Sequence, residues 1–200
     1  VFDRFFKRGL SRKKTFLWFA AGVAAFCIRP DLAGVTSLIR ALGFRESCYQ
    51  GFLGMFHSSG VDVDKIARVW TRTVVRRLDK YLVRCGQRPV FLADGLKIAK
   101  SGRKMPGVKK LHQESESNTK PEYIYGHSCQ AAALAVKAGA SVFSLPLACR
   151  IHEGVIFEKN ERFSLLDKLV RMLLSLGIDT PAILVADAYY TSAKVIQPLL

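Results

Sequence analysis

Two parts are expected of this chain: an all-helical region over residues 1–86 and an α/β domain over residues 87–200. The α/β sheet is read as three antiparallel strands, a helical crossover and a fourth strand parallel to the first. Three observations carry that reading. Hydrophobic periodicity changes from helical to strand-like around Gln87-Arg88-Pro89. Two apolar runs, Val90-Phe91-Leu92-Ala93 and Ala182-Ile183-Leu184-Val185-Ala186, each end at an aspartate. Between them lie a hairpin pattern and then one amphipathic helix, the order that brings a later strand back beside an earlier one.

In the first region, residues 16–28 form an apolar run closed by Arg29-Pro30, read as a buried helix. Its 13 residues fall short of the roughly 20 that cross a bilayer. The basic cluster Arg12, Lys13, Lys14 imitates a signal sequence, but no cleavage site with a secreted-type domain follows. Asp31 is placed to cap a second helix over 32–42, ended by Gly43. Ser47 is placed to cap a third, to about Phe56. These two short helices, joined through Gly43-Phe44-Arg45-Glu46-Ser47, have helix-turn-helix spacing, which any helical bundle also produces. Asp62 or Asp64 starts the fourth and longest helix, read as far as about Arg84. Along it Arg68, Arg72, Arg76, Lys80 and Arg84 recur at every fourth position, opposite a stripe of Trp70, Val74, Leu78 and Tyr81. Like charges so spaced repel by a few tenths of a kcal/mol each, which an anionic partner relieves.

In the second region the first strand covers 90–94 and can continue to Ala99. Residues 100–122 read as a long exposed loop. Runs 123–137 and 140–151 meet at Ala138-Gly139 and read as an antiparallel hairpin, although the alanine-rich first run also suits a helix. Residues 161–176 are amphipathic, with Phe163, Leu166, Leu169, Val170, Leu173 and Leu174 on the apolar face and Gly177 as terminator. Residues 182–186 suit a buried parallel strand. Thr191 or Ser192 caps a last helix.

Composition narrows the function classes. Half of the 200 residues are hydrophobic, which excludes a disordered chain. The net charge of +15 favours a polyanionic partner, nucleic acid above an anionic membrane. Five cysteines, odd in number and without a CxxC pair, exclude a zinc ribbon and a secreted disulfide framework. They read as reduced, mostly buried thiols of a cytoplasmic protein. His57, His112, His127 and His152 show no ligand spacing. The first residue is valine and the last lies in a helical pattern, so the chain is expected to be a fragment.

The chemistry centres on Asp94 and Asp187. In this topology both sit at the carboxyl ends of adjacent parallel strands, where α/β sheets bind ligands. Two neighbouring carboxylates repel unless a cation separates them, and Mg²⁺ or Mn²⁺ takes such oxygen ligands while keeping waters for substrate phosphate. The plainer alternative makes Asp94 a turn residue in Asp-Gly and Asp187 a helix cap. Between Asp94 and Glu114 lie Lys97, Lys100, Arg103, Lys104, Lys109 and Lys110 with no acid among them, a pattern suited to phosphate contacts. Tyr189 and Tyr190 offer rings for stacking on a base, core packing being the simpler role for at least one.

Asp94-Gly95, the basic stretch SGRKMPGVKKLHQ, the GHS at 126–128 and the VADAYY at 185–190 together resemble a bacterial DDE transposase of the IS4-like group. The resemblance covers about residues 89–200 and only loosely the helical region. It implies a ribonuclease H-like catalytic fold, here partial, in which Asp94 and Asp187 are the first two catalytic acids and bind Mg²⁺. It also implies nicking of double-stranded DNA at transposon ends and attack of the freed 3′-hydroxyl on target DNA. A homodimer on DNA is expected, in the bacterial cytoplasm and without a membrane. The group uses a third acid, usually glutamate, on a helix well downstream. Glu153, Glu158 and Glu161 precede the crossover helix, the wrong place for it, so the chain as given is expected to be inactive by itself. A non-catalytic DNA-binding remnant is the alternative.

Overall fold

A computed structural model describes residues 9–31, 34–102, 105–113, 119, 121–151 and 163–200. The chain divides into two compact units, Val1–Thr73 and Val74–Leu200.

The first unit is helical. Helix α1 (Lys13–Ile28), α2 (Val35–Ala41) and α3 (Tyr49–Phe56) enclose a core of Ala25, Leu38, Ile39, Phe52 and Met55. Trp18 leans on Phe52 with ring centroids 4.9 Å apart and meets Phe44 edge-on at 6.3 Å. A side chain at Gly51 would collide with the Trp18 indole, so the packing of α1 on α3 requires a glycine there. Gly43 ends α2 with φ +63°, as a left-handed terminator does. Helix α4 (Val63–Arg77) starts on Asp62, whose carboxylate accepts from the Lys65 N–H at 2.9 Å. That selects Asp62 over Asp64 as the cap.

Several expectations change here, among them the Ser47 cap, since the N-cap of α3 is Cys48 and Ser47 lies in the 3₁₀ turn before it. Residues 16–28 are not buried throughout: Leu17, Phe26 and Ile28 are 56%, 52% and 60% exposed, because a cylinder in a small bundle turns only one stripe inward. Asp31 does not cap α2, whose N-cap is Gly34; its carboxylate accepts from the Ser37 hydroxyl instead. Helix α4 stops at Arg77, so Lys80 lies in a short 3₁₀ turn, Asp79–Tyr81, and Arg84 in a strand.

The second unit is mixed α/β. Its strands are β1 (Arg84–Cys85), β2 (Arg88–Ala99), β3 (Lys109–His112), β4 (Tyr123–Ala138), β5 (Ser141–Ile151) and β6 (Ile183–Ala186). β4 is the spine: antiparallel to β2 from Phe91↔Leu134 to Ala99↔Gly126, to β3 from Lys109↔Gly126 to His112↔Tyr123, and to β5 from Cys129↔Ile151 to Ala138↔Ser141. β6 lies parallel to β2. The alanine-rich run is therefore strand, and its buried triplet Leu134, Ala135, Val136 is covered on both faces. β5 takes up one extra residue opposite Ala132 and Ala133, the buried Leu147, next to Pro146, which a strand tolerates at such a bulge. β3 falls within residues expected to be loop. The hairpin turn at Gly139, φ +61°, is where the sequence signals it.

Helix α5 (Leu165–Ser175) is set by a capping box: the Ser164 hydroxyl accepts from the Asp167 N–H, and the Asp167 carboxylate accepts from the Ser164 N–H. It buries Leu169, Val170, Met172 and Leu173. Phe163 and Leu174, expected on that face, are exposed, Phe163 lying under the Arg171 guanidinium. Helix α6 (Ala193–Leu199) is capped by Ser192, which accepts from the Lys194 N–H. The cysteines also differ from expectation: of the five, only Cys129 is buried, and its thiol is pushed up to about 11 by burial and then by the neighbouring Cys149 thiol. Among the described residues, no helix is long and apolar enough to cross a membrane.

Gly126 shows why the GHS segment has its glycine. A Cβ there would fall within 2.9 Å of the Ile98 carbonyl carbon and nearer still to its oxygen, so β2 and β4 can approach only with a glycine. Gly126→Ala is expected to cost about 2–3 kcal/mol in chemical denaturation, by overpacking against backbone that cannot yield. The Asp167 carboxyl is held below the usual carboxylate range by hydrogen bonds from Ser164, side chain first and then backbone. A lowered pKa gives stability that is present above the unfolded-state value and is lost as pH falls through the folded one. Ser164→Ala should therefore lower the melting temperature at pH 7 and flatten its fall under acidification below about pH 4, where carboxylates protonate.

Candidate two-carboxylate site

The pairing of β2 with β6 fixes this site. Val90, Phe91, Leu92 and Ala93 stand opposite Ile183, Leu184, Val185 and Ala186 with a constant offset. That pairing ends at Ala93 and Ala186, the residues immediately before Asp94 and Asp187, on strands whose axes run ~4.8 Å apart; Asp94 lies within β2 and Asp187 just past the end of β6. The two chains then part. β2 runs on through Gly95 to Ala99, so Asp94-Gly95 is not a turn, whereas the chain after Asp187 enters a 3₁₀ turn, Ala188–Tyr190.

Both carboxylates are exposed, and each has one oxygen engaged by nearby backbone. Asp94 Oδ1 accepts from the Gly95 N–H at 2.7 Å, and Asp187 Oδ1 accepts from the Tyr189 N–H at 2.9 Å. The capping role of Asp187 is thus present and leaves its second oxygen for other partners. Hard oxygen donors that retain solvent access are the set that Mg²⁺ or Mn²⁺ accepts, with water completing the shell. The donor chemistry fits such an ion. Among the described residues no cluster of three or more His, Cys, Asp or Glu side chains suits a metal. Glu153, Glu158, Glu161 and His152 lie outside the described residues.

Behind the acids is a polar cluster that strand periodicity does not reveal. Tyr190 is 7% exposed and its hydroxyl lies beneath Gly95, where an added Cβ would come within 3.2 Å. Gln130, opposite Gly95 on β4 and 3% exposed, points its Nε2 at the Leu165 carbonyl (3.0 Å) and at the Tyr190 hydroxyl (3.4 Å). The Tyr190 phenol is raised above its ordinary pKa, first by burial and, more weakly, by the charges of Asp94 and Asp187. The one signal in the sequence is an uncharged amide, Gln130, inside the apolar run of β4. Tyr189 is 62% exposed and meets Tyr190 edge-on at 5.3 Å, so one tyrosine faces solvent and one the core.

The lysines expected to contact phosphate lie mainly on strands. Lys97 Nζ donates to the His112 carbonyl at 2.8 Å, tying β2 to β3. The Lys100 N–H donates to the Tyr125 carbonyl, continuing the ladder past Ala99. Lys109 and Lys110 are exposed on β3, with Lys110 Nζ 4.2 Å from the centre of the Tyr123 ring. Arg103 and Lys104 lie outside the described residues. In α4, Arg68, Arg72 and Arg76 are exposed. The GHS histidine, His127, is buried and its Nε2 lies 3.0 Å from the Pro106 carbonyl, so it anchors the loop before β3. Neither the models of known protein families nor the curated proteins contain a match to this chain.

Proposed function

We propose that this chain carries two of the metal-binding acids of a DDE transposase, within a ribonuclease H-like catalytic domain that acts on double-stranded DNA. The observation that supports this most is the β2–β6 register, which pairs Ala93 with Ala186, the residues immediately before Asp94 and Asp187. In this reading Asp94 and Asp187 would hold Mg²⁺ or Mn²⁺. Bound there, such an ion would supply Lewis-acid stabilisation of charge at the scissile phosphate. The chain's own residues orient the site. The Gly95 and Tyr189 N–H groups fix the two carboxylates, and Lys97, Lys100, Lys109 and Lys110 offer cations along the sheet to the phosphate backbone. Arg103 and Lys104 in the second unit, and Arg68, Arg72 and Arg76 of α4, belong to the same proposed DNA-contacting set. Water and then the 3′-hydroxyl of DNA are the nucleophiles, so no side chain forms a covalent intermediate. The partners are transposon-end and target DNA, bound by a homodimer in the bacterial cytoplasm.

A DNA-binding remnant without cleavage is the second reading. It needs only the exposed basic residues, Lys109 and Lys110 of β3 and Arg68, Arg72 and Arg76 of α4. The complete protein, given Mg²⁺ and duplex DNA bearing the element's ends, separates the two. Asp94→Ala and Asp187→Ala should each lower strand cleavage by about a thousandfold or more, since several kcal/mol of transition-state stabilisation go with the ion. DNA affinity should stay within about twofold of wild type. Binding without Mg²⁺-dependent cleavage by the unaltered protein identifies the remnant.

The lysines have a separate test. The double variant Lys109→Glu, Lys110→Glu should weaken binding equally across DNA sequences. It should also flatten the plot of log affinity against log salt by about one unit for each phosphate no longer neutralised. An unchanged slope removes β3 from the DNA-contacting surface.

A further inference from the structure

The turn after β6 brings Tyr190 to a place that surface exposure alone would not pick out. Three residues beyond Asp187, the chain has turned enough for the Tyr190 ring to pass under β2 at Gly95. Its hydroxyl meets the Nε2 of Gln130, the β4 residue directly opposite Gly95. One side chain thus spans three adjacent strands, from the end of β6 across β2 to β4. Because Gln130 Nε2 is the donor in this contact, the Tyr190 oxygen is the acceptor and its own proton is directed elsewhere. Gln130 Oε1 is buried without a hydrogen-bond partner among the described residues, so the polar cluster is not closed on itself.

Gly95 is part of the same arrangement. Its backbone is ordinary β-strand, so alanine meets no conformational penalty; among the described residues the near neighbour of an added Cβ is the phenol oxygen. An alanine there would press on the Tyr190 hydroxyl by a few tenths of an ångström.

We propose that Tyr190 is the positioning residue of the acid pair: pinned by Gln130 beneath Gly95, it ties the turn carrying Asp187 to the strand carrying Asp94 and sets the gap a divalent cation spans. This rests on the two-carboxylate metal reading. Tyr190 touches neither the ion nor the DNA and acts through the placement of the two carboxylates.

The test is Mn²⁺ binding to the full chain, followed by the electron paramagnetic resonance signal of the free ion. Unaltered protein should bind Mn²⁺, and Asp94→Ala should lose it; if the unaltered protein binds none, the metal reading fails and this inference with it. Where Mn²⁺ does bind, Tyr190→Phe should weaken it roughly tenfold, the lower end for loss of a group that supports metal ligands. Gln130→Met, which keeps the phenol but removes its anchor, should weaken it in the same direction. The double variant should be no weaker than Tyr190→Phe alone, because the two side chains act as one unit. Gly95→Ala, which crowds the hydroxyl without deleting it, should weaken Mn²⁺ as well. Wild-type affinity in Tyr190→Phe, even with a lowered melting temperature, makes Tyr190 a core tyrosine and overturns the inference. Should Tyr190→Phe fail to fold, Gln130→Met decides, and wild-type affinity there overturns it equally.

Discussion

The arrangement depends on one constraint, the parallel register of β6 against β2. A strand can pair in either of two face assignments, and a slip of one residue exchanges them. Here Phe91 and Ala93 are buried and need the core side of the sheet, with Leu184 and Ala186 beside them, and that requirement fixes the slip. Once it is fixed, the acid after Ala93 and the acid after Ala186 leave the paired stretch at the same level along the strand direction. The hydrophobic side chains therefore set the position of the charged ones. Hydrophobic burial of a few side chains is worth several kcal/mol, ample to hold two exposed carboxylates near one another against mutual repulsion in water.

What is legible in the sequence and what is not follow from the same physics. Val90-Phe91-Leu92-Ala93, the hairpin turn at Gly139 and the core face of α5 are local patterns, and their residues advertise their state. β3 does not: Lys109-Lys110-Leu111-His112 has one buried side chain, Leu111, and becomes a strand because β4 is long enough to offer it a free edge. The fourth helix is shorter than its pattern because the basic spacing continues past Arg77, yet Leu82 is needed beside Val136, and the chain must leave the helix to bring it there. The acids themselves are legible, since a carboxylate closing an apolar run is locally anomalous. Tyr190 and Gln130 lie 60 positions apart and become neighbours only through the sheet, a relation no window of sequence contains.

The charge of the chain also gains a shape. On a loop, the lysines after Asp94 would be a tethered cloud of cations. With β2 continuing to Ala99 and β3 paired to β4, four of them are instead mounted on or beside ladder hydrogen bonds. Fixed cations lose less conformational entropy on meeting a phosphate than free ones, and they hold a register along a regular polyanion. Lys97 commits part of its capacity to the His112 carbonyl, so its contribution to such a surface is partly structural.

β2 does not bend at Asp94-Gly95, whereas the chain bends at once after Asp187. One acid is therefore set in a strand whose pairing with β4 continues on either side of it, at Ala93 and Gly95, and the other stands on a single 3₁₀ turn. Mechanically this is a vice with one jaw cast into the bench and one on a short arm. Under the proposed metal reading, the sheet holds the Asp94 side of the site, and the Asp187 side is held by the 3₁₀ turn whose last residue, Tyr190, packs beneath Gly95.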